Sequence, residues 1–275
     1  MTGESEPVGL SDVSVLVPAS ADEAVAAFGD GADVTVVAGG TIVMPELVAG
    51  RLRPKSALLL GRAGLAGVTR ANGTVTIGAA TPVSELTDAD APLAQAARHL
   101  GDIEVRSQAT VGGNVCAVSS EDTPRGDLQA ALLALGATVR SAGKGGERSE
   151  PLEDFLAHGS GRLVLDVSFD DVARQAGYAA VWRPHSHHYT ILAVCATRTA
   201  DAVRVGITGA APRGMRAPSV ERASQDGADS AHAAQRVLDD VGHGLRDDAL
   251  ASAWYRTQLL PRLVERALAQ LEEAG

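Results

Sequence analysis

The stretch ATVGGNVCAVSSEDTPRGD, residues 109–127, places two glycines directly after two β-branched residues and before a polar run. A second stretch, VVAGGTI at residues 36–42, repeats this arrangement. A β-branched run that stops at glycine is typical of a strand ending in a turn, so we expect that structure at both places. Consecutive glycines can also direct successive N–H groups into one concave surface that binds anions, and Thr41 and Asn114 would add polar side chains. A tight turn explains either pair alone, but two matching pairs favour an anionic ligand held by both.

Composition restricts the class of protein. Of the 275 residues, 45% are hydrophobic but only 3% are aromatic, so the core must consist mainly of Ala, Val and Leu. A formal charge of -10, without a clustered Lys/Arg patch, argues against a nucleic-acid partner. Neither a secretory leader nor an apolar run of membrane-spanning length is present in the sequence. We therefore expect a cytoplasmic protein without a membrane span.

Hydrophobic patterning predicts an α+β fold. Ser20 and Glu23 form a capping box that starts a helix, and the run at 34–37 reads as a strand. Between residues 56 and 80 we expect short strands, with ANG as a hairpin turn. Further along, GYAAVWR, YTILAVCATRT and AVRVGITGAA suggest a three-stranded antiparallel sheet. The tail at 247–272 is predicted to be helical, with an apolar stripe formed by Leu250, Tyr255, Leu259, Leu263, Ala267 and Leu271.

Other motifs for ligand or metal binding are weak. The lysine of GKGGERSE is followed by glycine where a P-loop needs Ser or Thr, and no GxGxxG is present. His185, His187 and His188 are more consistent with a solvated turn than with a metal site, since three imidazoles within four residues have poor geometry for one ion. Cys116 and Cys195 are too few for a disulfide framework or an iron–sulfur cluster. We predict no metal.

Three segments carry a family resemblance: VVAGGTIVMPEL, VTIGAATPVSEL, and ATVGGNVCAVSS with the following GDLQAALLALGATV. In order and spacing they resemble the three FAD-binding signatures of the flavoprotein (medium) subunit of molybdenum hydroxylases, the family of xanthine dehydrogenase and carbon monoxide dehydrogenase. The closing segment ASAWYRTQLLPRLVERAL resembles that family's last helix. The likeness covers nearly the whole chain from about Val15.

The resemblance implies a domain organisation. An FAD-binding domain of the vanillyl-alcohol-oxidase (PCMH) type would occupy residues 1–171, with subdomains at about 1–55 and 56–171. A small flavoprotein domain with the three-stranded antiparallel sheet and a helical bundle would follow at 172–275.

It also implies a set of FAD-binding residues, grouped by the part of the cofactor that they would contact. Those for the pyrophosphate are Ala38, Gly39, Gly40 and Thr41. Those for the flavin side are Ala79, Ala80 and Thr81, and those for the diphosphate and ribityl region are Thr110, Gly112, Gly113 and Asn114. Asp127 would accept hydrogen bonds from FAD hydroxyls, while Leu163 and Val164 would pack on the adenine.

In the resembled complexes, a large subunit binds molybdopterin and a small subunit carries [2Fe-2S] clusters. The medium subunit would pass electrons from those clusters to an external acceptor, and because the chemistry belongs to the cofactor we assign no catalytic side chain. Two departures keep alternatives open. The segment between Asn114 and Asp127 is longer than in the family, with Asp122 as a substitute acid, and Ala179 and Ala180 stand where some members carry lysine. The alternatives are a stand-alone FAD-dependent oxidase or dehydrogenase and a flavin-free scaffold.

Overall fold

The structure is a computed structural model that describes residues 13–119, 126–159, 161–183, 190–242 and 245–273. Its strands are β1 (Ser14–Leu16), β2 (Val34–Val37), β3 (Ser56–Leu59), β4 (Val68–Ala71), β5 (Thr74–Gly78), β6 (Thr138–Ala142), β7 (Arg148–Pro151), β8 (Leu163–Asp170), β9 (Gln175–Trp182), β10 (Thr190–Arg198), β11 (Val203–Thr208) and β12 (Met215–Arg216). Its helices are α1 (Ala21–Phe28), α2 (Val43–Val48), α3 (Leu93–His99), α4 (Ile103–Gln108), α5 (Val111–Cys116), α6 (Asp127–Ala134), α7 (Leu152–His158), α8 (Pro218–Gln225), α9 (Ser230–Gln235), α10 (Val237–Val241) and α11 (Ala253–Glu273). The prediction of a mixed fold of helices and sheets is confirmed.

The first layer is a parallel sheet with strand order β1-β3-β2. Helix α1 connects two of its strands and begins as predicted, because the Ser20 side chain accepts a hydrogen bond from the Glu23 N–H at 3.2 Å. Strand β3 is central and pairs with both β1 and β2, so this sheet continues past the predicted subdomain boundary near residue 55. The predicted domain boundary near residue 172 falls between β8 and β9 and stays a prediction.

The second sheet is antiparallel, with strand order β4-β5-β8-β6-β7. The predicted ANG turn joins β4 and β5, and both Asn72 (φ 52°) and Gly73 (φ 73°) have the left-handed conformation that a tight hairpin requires. Helices α3, α6 and α7 cover this sheet in one core cluster that includes Val75, Leu132 and Phe155. Small aliphatic side chains dominate this core, as the composition predicts.

The segment at 109–115 is not a strand that ends in a turn, so that prediction is wrong. Residues 111–116 form the helix α5, capped by Thr110, whose side chain accepts from the Gly113 N–H at 3.3 Å. Val111 and Val115 lie one helical turn apart and are both buried, which fixes the helix against the core. The strand propensity of the β-branched pair is thus overridden by capping and packing.

The C-terminal sheet has four strands in the order β12-β11-β10-β9, not three as predicted. The three predicted strands are present, and the two-residue strand β12 is added at the edge by pairing Arg216 with Gly206. A pair of residues has no hydrophobic periodicity, so the pattern could not reveal it. Helices α8 to α11 pack on this sheet in a second core cluster.

Helix α6 lies between the two antiparallel sheets and is buried on nearly all sides. Gly206 of β11 approaches it so closely that an added Cβ would be 2.1 Å from the Ala130 carbonyl oxygen. The hydroxyl of Thr197 donates to the Ala134 carbonyl at 2.6 Å, and that of Thr208 donates to the Gly126 carbonyl at 3.1 Å. Both ends of α6 are therefore held to the C-terminal sheet.

The C-terminal helix α11 differs in detail from its prediction. It starts at Ala253, and its buried face contains Leu263, Ala267 and Leu271 as expected, whereas Tyr255 is 39% exposed. The neighbouring Arg256 is fully buried instead. Within the described residues, no helix is both long and apolar enough to cross a membrane.

Candidate functional site

A cavity of about 590 Å³ opens where the end of β2, the helix α5 and the start of β8 meet. This volume lies within the range of roughly 300–1,000 Å³ that is usual for cofactor and ligand sites. Both glycine segments contribute to its wall, although they are some 70 residues apart in sequence. Twelve of the fourteen predicted FAD-binding residues line it: Ala38, Gly39, Gly40, Thr41, Ala79, Thr110, Gly112, Gly113, Asn114, Asp127, Leu163 and Val164.

The first glycine segment leaves a run of backbone donors unpaired. In the described parts of the chain, the N–H groups of residues 39–43 donate to no protein acceptor. Gly40 has a φ of 72°, which turns the chain at the end of β2, and its carbonyl accepts from the Met44 N–H at 2.8 Å to start α2. Partly buried N–H groups without partners require a ligand or water, and consecutive ones form an anion cradle.

A close backbone contact is a second reason why position 39 requires glycine. The backbone of Gln108, at the end of α4, packs directly against its Cα on the side where a Cβ would lie. Its lack of a side chain therefore brings two walls of the cavity together, rather than making room for a ligand.

The second glycine segment does not form the predicted anion nest. Its donors are used within the protein: the Val111 N–H donates to the Thr81 carbonyl at 3.0 Å, and the Gly112 N–H to the Ala79 carbonyl at 2.8 Å. The Gly113 N–H donates to the Thr110 hydroxyl, and the Asn114 N–H donates to the Thr110 carbonyl. Because these amides already donate to protein acceptors, this segment does not form an anion cradle, and it contributes glycines and small side chains to the cavity wall.

Asn114 and Asp127 lie together where α5 meets the start of α6. The Asn114 side-chain oxygen accepts from the Leu128 N–H at 2.9 Å, which leaves only its amide N–H₂ group for a ligand. Burial raises the pKa of Asp127, opposed in part by the nearby Thr190 hydroxyl and by His99. A carboxyl at the cavity wall with a raised pKa is suited to hydrogen bonding with neutral hydroxyl groups.

Ala80 and Thr81 do not line the cavity, unlike the other predicted residues. Thr81 is fully buried, and its hydroxyl both accepts from the Gly67 N–H at 2.9 Å and donates to the Gly67 carbonyl at 3.1 Å. The Ala80 N–H donates to the Leu65 carbonyl at 2.9 Å. Both residues hold the loop after β5 in place.

Several wall residues were missed in the sequence. The corner between α3 and α4 adds Leu100, Gly101, Asp102 and Val105, and Arg162 adds a cation beside the predicted aliphatic pair. Arg162 carries no sequence signal, because the residues that position it come from a distant hairpin. Cys116 also lines the cavity, where the residue is exposed to solvent.

Metal binding finds no support in the parts of the chain that the structure describes. No group of three or more His, Cys, Asp or Glu side chains there is arranged to hold an ion. The histidines 185, 187 and 188 and the acids 121 and 122 lie outside the described residues.

The α+β fold and its cavity, with an anion cradle, apolar walls and a buried acid, define a protein that binds an anionic cofactor. The chain matches the family described as "FAD binding domain in molybdopterin dehydrogenase" over residues 11–168. Because the match covers more than half of the chain, the chain belongs to this family, and it is an FAD-binding oxidoreductase chain of the molybdenum hydroxylase type. The predictions of the family and of FAD are confirmed.

Individual relatives extend the likeness to the whole chain. The carbon monoxide dehydrogenase medium chain of Hydrogenophaga pseudoflava is 27% identical over 281 residues, which cover 91% of this chain and 94% of that one. A solved carbon monoxide dehydrogenase from the same organism superimposes with a TM-score of 0.79 at 24% identity, covering 95% of this chain and 97% of that one. Quinoline 2-oxidoreductase from Pseudomonas putida 86 gives 0.77 at 19% identity, with 95% and 97% covered. The solved structures show the same fold.

Proposed function

We propose that this chain is the FAD-binding medium subunit of a cytoplasmic molybdenum hydroxylase complex. The observation that carries the proposal is the run of unpaired N–H groups at residues 39–43, in a cavity of cofactor size. These donors would bind the pyrophosphate oxygens, because backbone N–H groups directed at one point stabilise negative charge without a lysine. The fit to FAD is good, since the same wall provides apolar surface and a hydroxyl acceptor.

The remaining wall residues would orient the cofactor. Leu163 and Val164 are 2% and 4% exposed and would pack on the adenine, while Asp127 would accept from ribityl or ribose hydroxyls. Gly112 lets helix α5 pack closely on Ala79, since an added Cβ at Gly112 would lie 2.7 Å from the Ala79 side chain. When bound, the flavin supplies one- and two-electron transfer. The chain's own part is to hold it and to exclude water from its apolar face.

The partners are inferred from the relatives. The curated relative is named a medium chain, and this chain covers 94% of it, which supports a place beside other subunits. We infer that a [2Fe-2S] small subunit delivers electrons and that a molybdopterin large subunit oxidises the substrate.

Reconstitution tests this proposal. The purified chain is incubated with FAD and is then mixed anaerobically with a separately purified, reduced [2Fe-2S] subunit of the carbon monoxide dehydrogenase type. We expect one FAD per chain and rapid bleaching of the flavin absorbance. A yellow protein that oxidises a substrate without any partner would support the stand-alone enzyme instead. A protein that stays colourless after incubation would support the flavin-free scaffold.

A further inference from the structure

Arg162 is a feature of the cavity that the proposed function does not use. Among the described lining residues it is the one cation, and the other charged side chains are the carboxylates of Asp102 and Asp127. A diphosphate entering this cavity brings negative charge toward two acids. The backbone cradle offers dipoles but no net charge, so a fixed cation on the same wall has a large effect on an anionic ligand.

The guanidinium of Arg162 is held by neutral acceptors. Its Nε donates to the Ser141 hydroxyl at 2.8 Å, and Nη2 donates to the carbonyls of Ser141 at 3.1 Å and Gly146 at 2.6 Å. Nη1 donates to the Lys144 carbonyl at 3.0 Å. Within the described residues, no carboxylate is hydrogen bonded to it, and four of the five N–H donors of a guanidinium are accounted for.

Its surroundings compensate that charge only in part, because the carboxylate of Glu150 acts on it through space and partly opposes the effects that lower its pKa. Burial is the main cause that lowers the pKa of Arg162, and the neighbouring Arg148 lowers it further. An arginine nevertheless stays protonated in proteins. An anion that approaches this group would relieve both the desolvation and the repulsion.

Arg162 also lies beside the cradle. The next residue, Leu163, shares a core cluster with Leu60 and with Val36 and Ala38, which lead into the cradle. All four of these residues line the cavity too. The start of β8 and the end of β2 thus form adjoining parts of one wall.

We propose that Arg162 binds the diphosphate of FAD and makes the cavity selective for the dinucleotide over riboflavin. This inference rests on the proposed function, since it takes FAD as the ligand. A charge-assisted hydrogen bond from a pre-positioned guanidinium is roughly twice as strong as a neutral one, and riboflavin has no phosphate to receive it. The competing explanation is that Arg162 only fixes the turn at residues 143–147.

A matched variant separates these explanations. Arg140 also holds this hairpin, through Glu147 at 3.0 Å and Asp166 at 2.7 Å, but it does not line the cavity. The dissociation constants of apoprotein for FAD and for riboflavin are measured by calorimetry in the wild type and in Arg162→Gln, Arg162→Lys and Arg140→Gln. Thermal unfolding of each apoprotein shows whether it is folded.

We expect Arg162→Gln to weaken FAD binding about tenfold or more, the effect of one charge-assisted hydrogen bond, and to leave riboflavin binding unchanged. Arg162→Lys should lie between Arg162→Gln and the wild type, and Arg140→Gln should match the wild type. If Arg162→Gln does not fold, a folded Arg162→Lys with weaker FAD binding and unchanged riboflavin binding supports the role. The role of Arg162 is overturned if the ratio of the dissociation constants for FAD and riboflavin is unchanged in the folded Arg162 variants. It is also overturned if Arg140→Gln loses as much FAD affinity as Arg162→Gln. Neither result contradicts the proposed function. A wild type that binds no FAD overturns the proposed function as well.

Discussion

The carbonyl oxygen of Gln108 occupies the space of a side chain on Gly39: an ideal Cβ at Gly39 would lie 1.8 Å from that oxygen. This contact joins the cradle to the end of helix α4, which also contributes Val105 to the cavity lining. Glycine at position 39 is therefore required by the fold before any ligand enters. The ligand-binding geometry and the stability of the protein depend on the same residue.

Substitution of Gly39 by alanine tests this dependence. The added methyl group must displace the Gln108 backbone, so we expect a loss of about 1–3 kcal/mol in the free energy of unfolding, together with weaker FAD binding. Urea denaturation of the apoprotein and calorimetric titration with FAD measure the two effects. Gly61→Ala is the control, because its Cβ would meet nothing within 4 Å and its φ is not positive. Equal stability of the two variants would show that the contact is not tight.

The buried ion pair between Arg256 and Asp248 is a second test. Their side chains are 0% and 1% exposed, and Nη2 lies 2.7 Å from Oδ2. Arg256→Met leaves the buried carboxylate with the more distant Arg246, at 3.5 Å, as its remaining cation among the described residues, so we expect a loss of about 3 kcal/mol. The double variant Arg256→Met/Asp248→Asn should recover much of that loss. Denaturant titrations of the three variants check this, and a double variant no more stable than Arg256→Met would contradict it.

The same pair predicts a pH dependence. Burial alone would raise the pKa of Asp248, but the hydrogen bond from Arg256 and the N–H groups of Leu250 and Ala251 outweigh it, and the pKa is lowered. The ionised carboxylate therefore stabilises the fold at pH values above its unfolded-state pKa of about 3.9. That stabilisation is lost as the pH falls through the lowered pKa. The stability advantage of the wild type over Asp248→Asn should shrink below about pH 4, and a constant difference would contradict the assignment.

Asp127 should show opposite effects on stability and on binding. Because burial raises its pKa, the ionised carboxylate is disfavoured in the apoprotein at neutral pH, and lowering the pH toward that pKa relieves the penalty. Asp127→Asn should therefore raise the melting temperature of the apoprotein at pH 7. The same change should weaken FAD binding by about tenfold, since a charged acceptor is lost. A less stable apoprotein with unchanged FAD affinity would assign Asp127 a purely structural role.

Local patterns predicted much of the fold. The capping box at Ser20, the hairpin turn at Asn72 and the strands of the C-terminal sheet follow from residues adjacent in sequence. The helix at 111–116 was missed, because its stability comes from Thr110 as a cap and from the burial of Val111 and Val115. Arg256 was missed because a charged residue in an apolar stripe signals exposure unless its partner is known.

In the candidate site, too, some features could be predicted from the local sequence, whereas others depend on contacts with distant residues. A glycine pair reveals that the backbone is unusual, but only the partners of its amides show whether they are free. Those of residues 39–43 are unpaired within the described residues, whereas those of 111–114 are bonded to Ala79, Thr81 and Thr110. The acceptors of the Val111 and Gly112 amides lie some 30 residues away in sequence, so the local pattern could not reveal that these two amides are bonded. Arg162 was missed for the same reason.

Amide hydrogen exchange with and without FAD tests the central claim most directly. The N–H groups of residues 39–43 have no protein acceptor in the described structure, so they should exchange rapidly in the apoprotein. Those of residues 111–114 should already be protected. FAD at saturating concentration should slow exchange at 39–43 and change 111–114 much less. Unchanged exchange at 39–43 in the FAD-bound protein would contradict the assignment of this run as the pyrophosphate cradle.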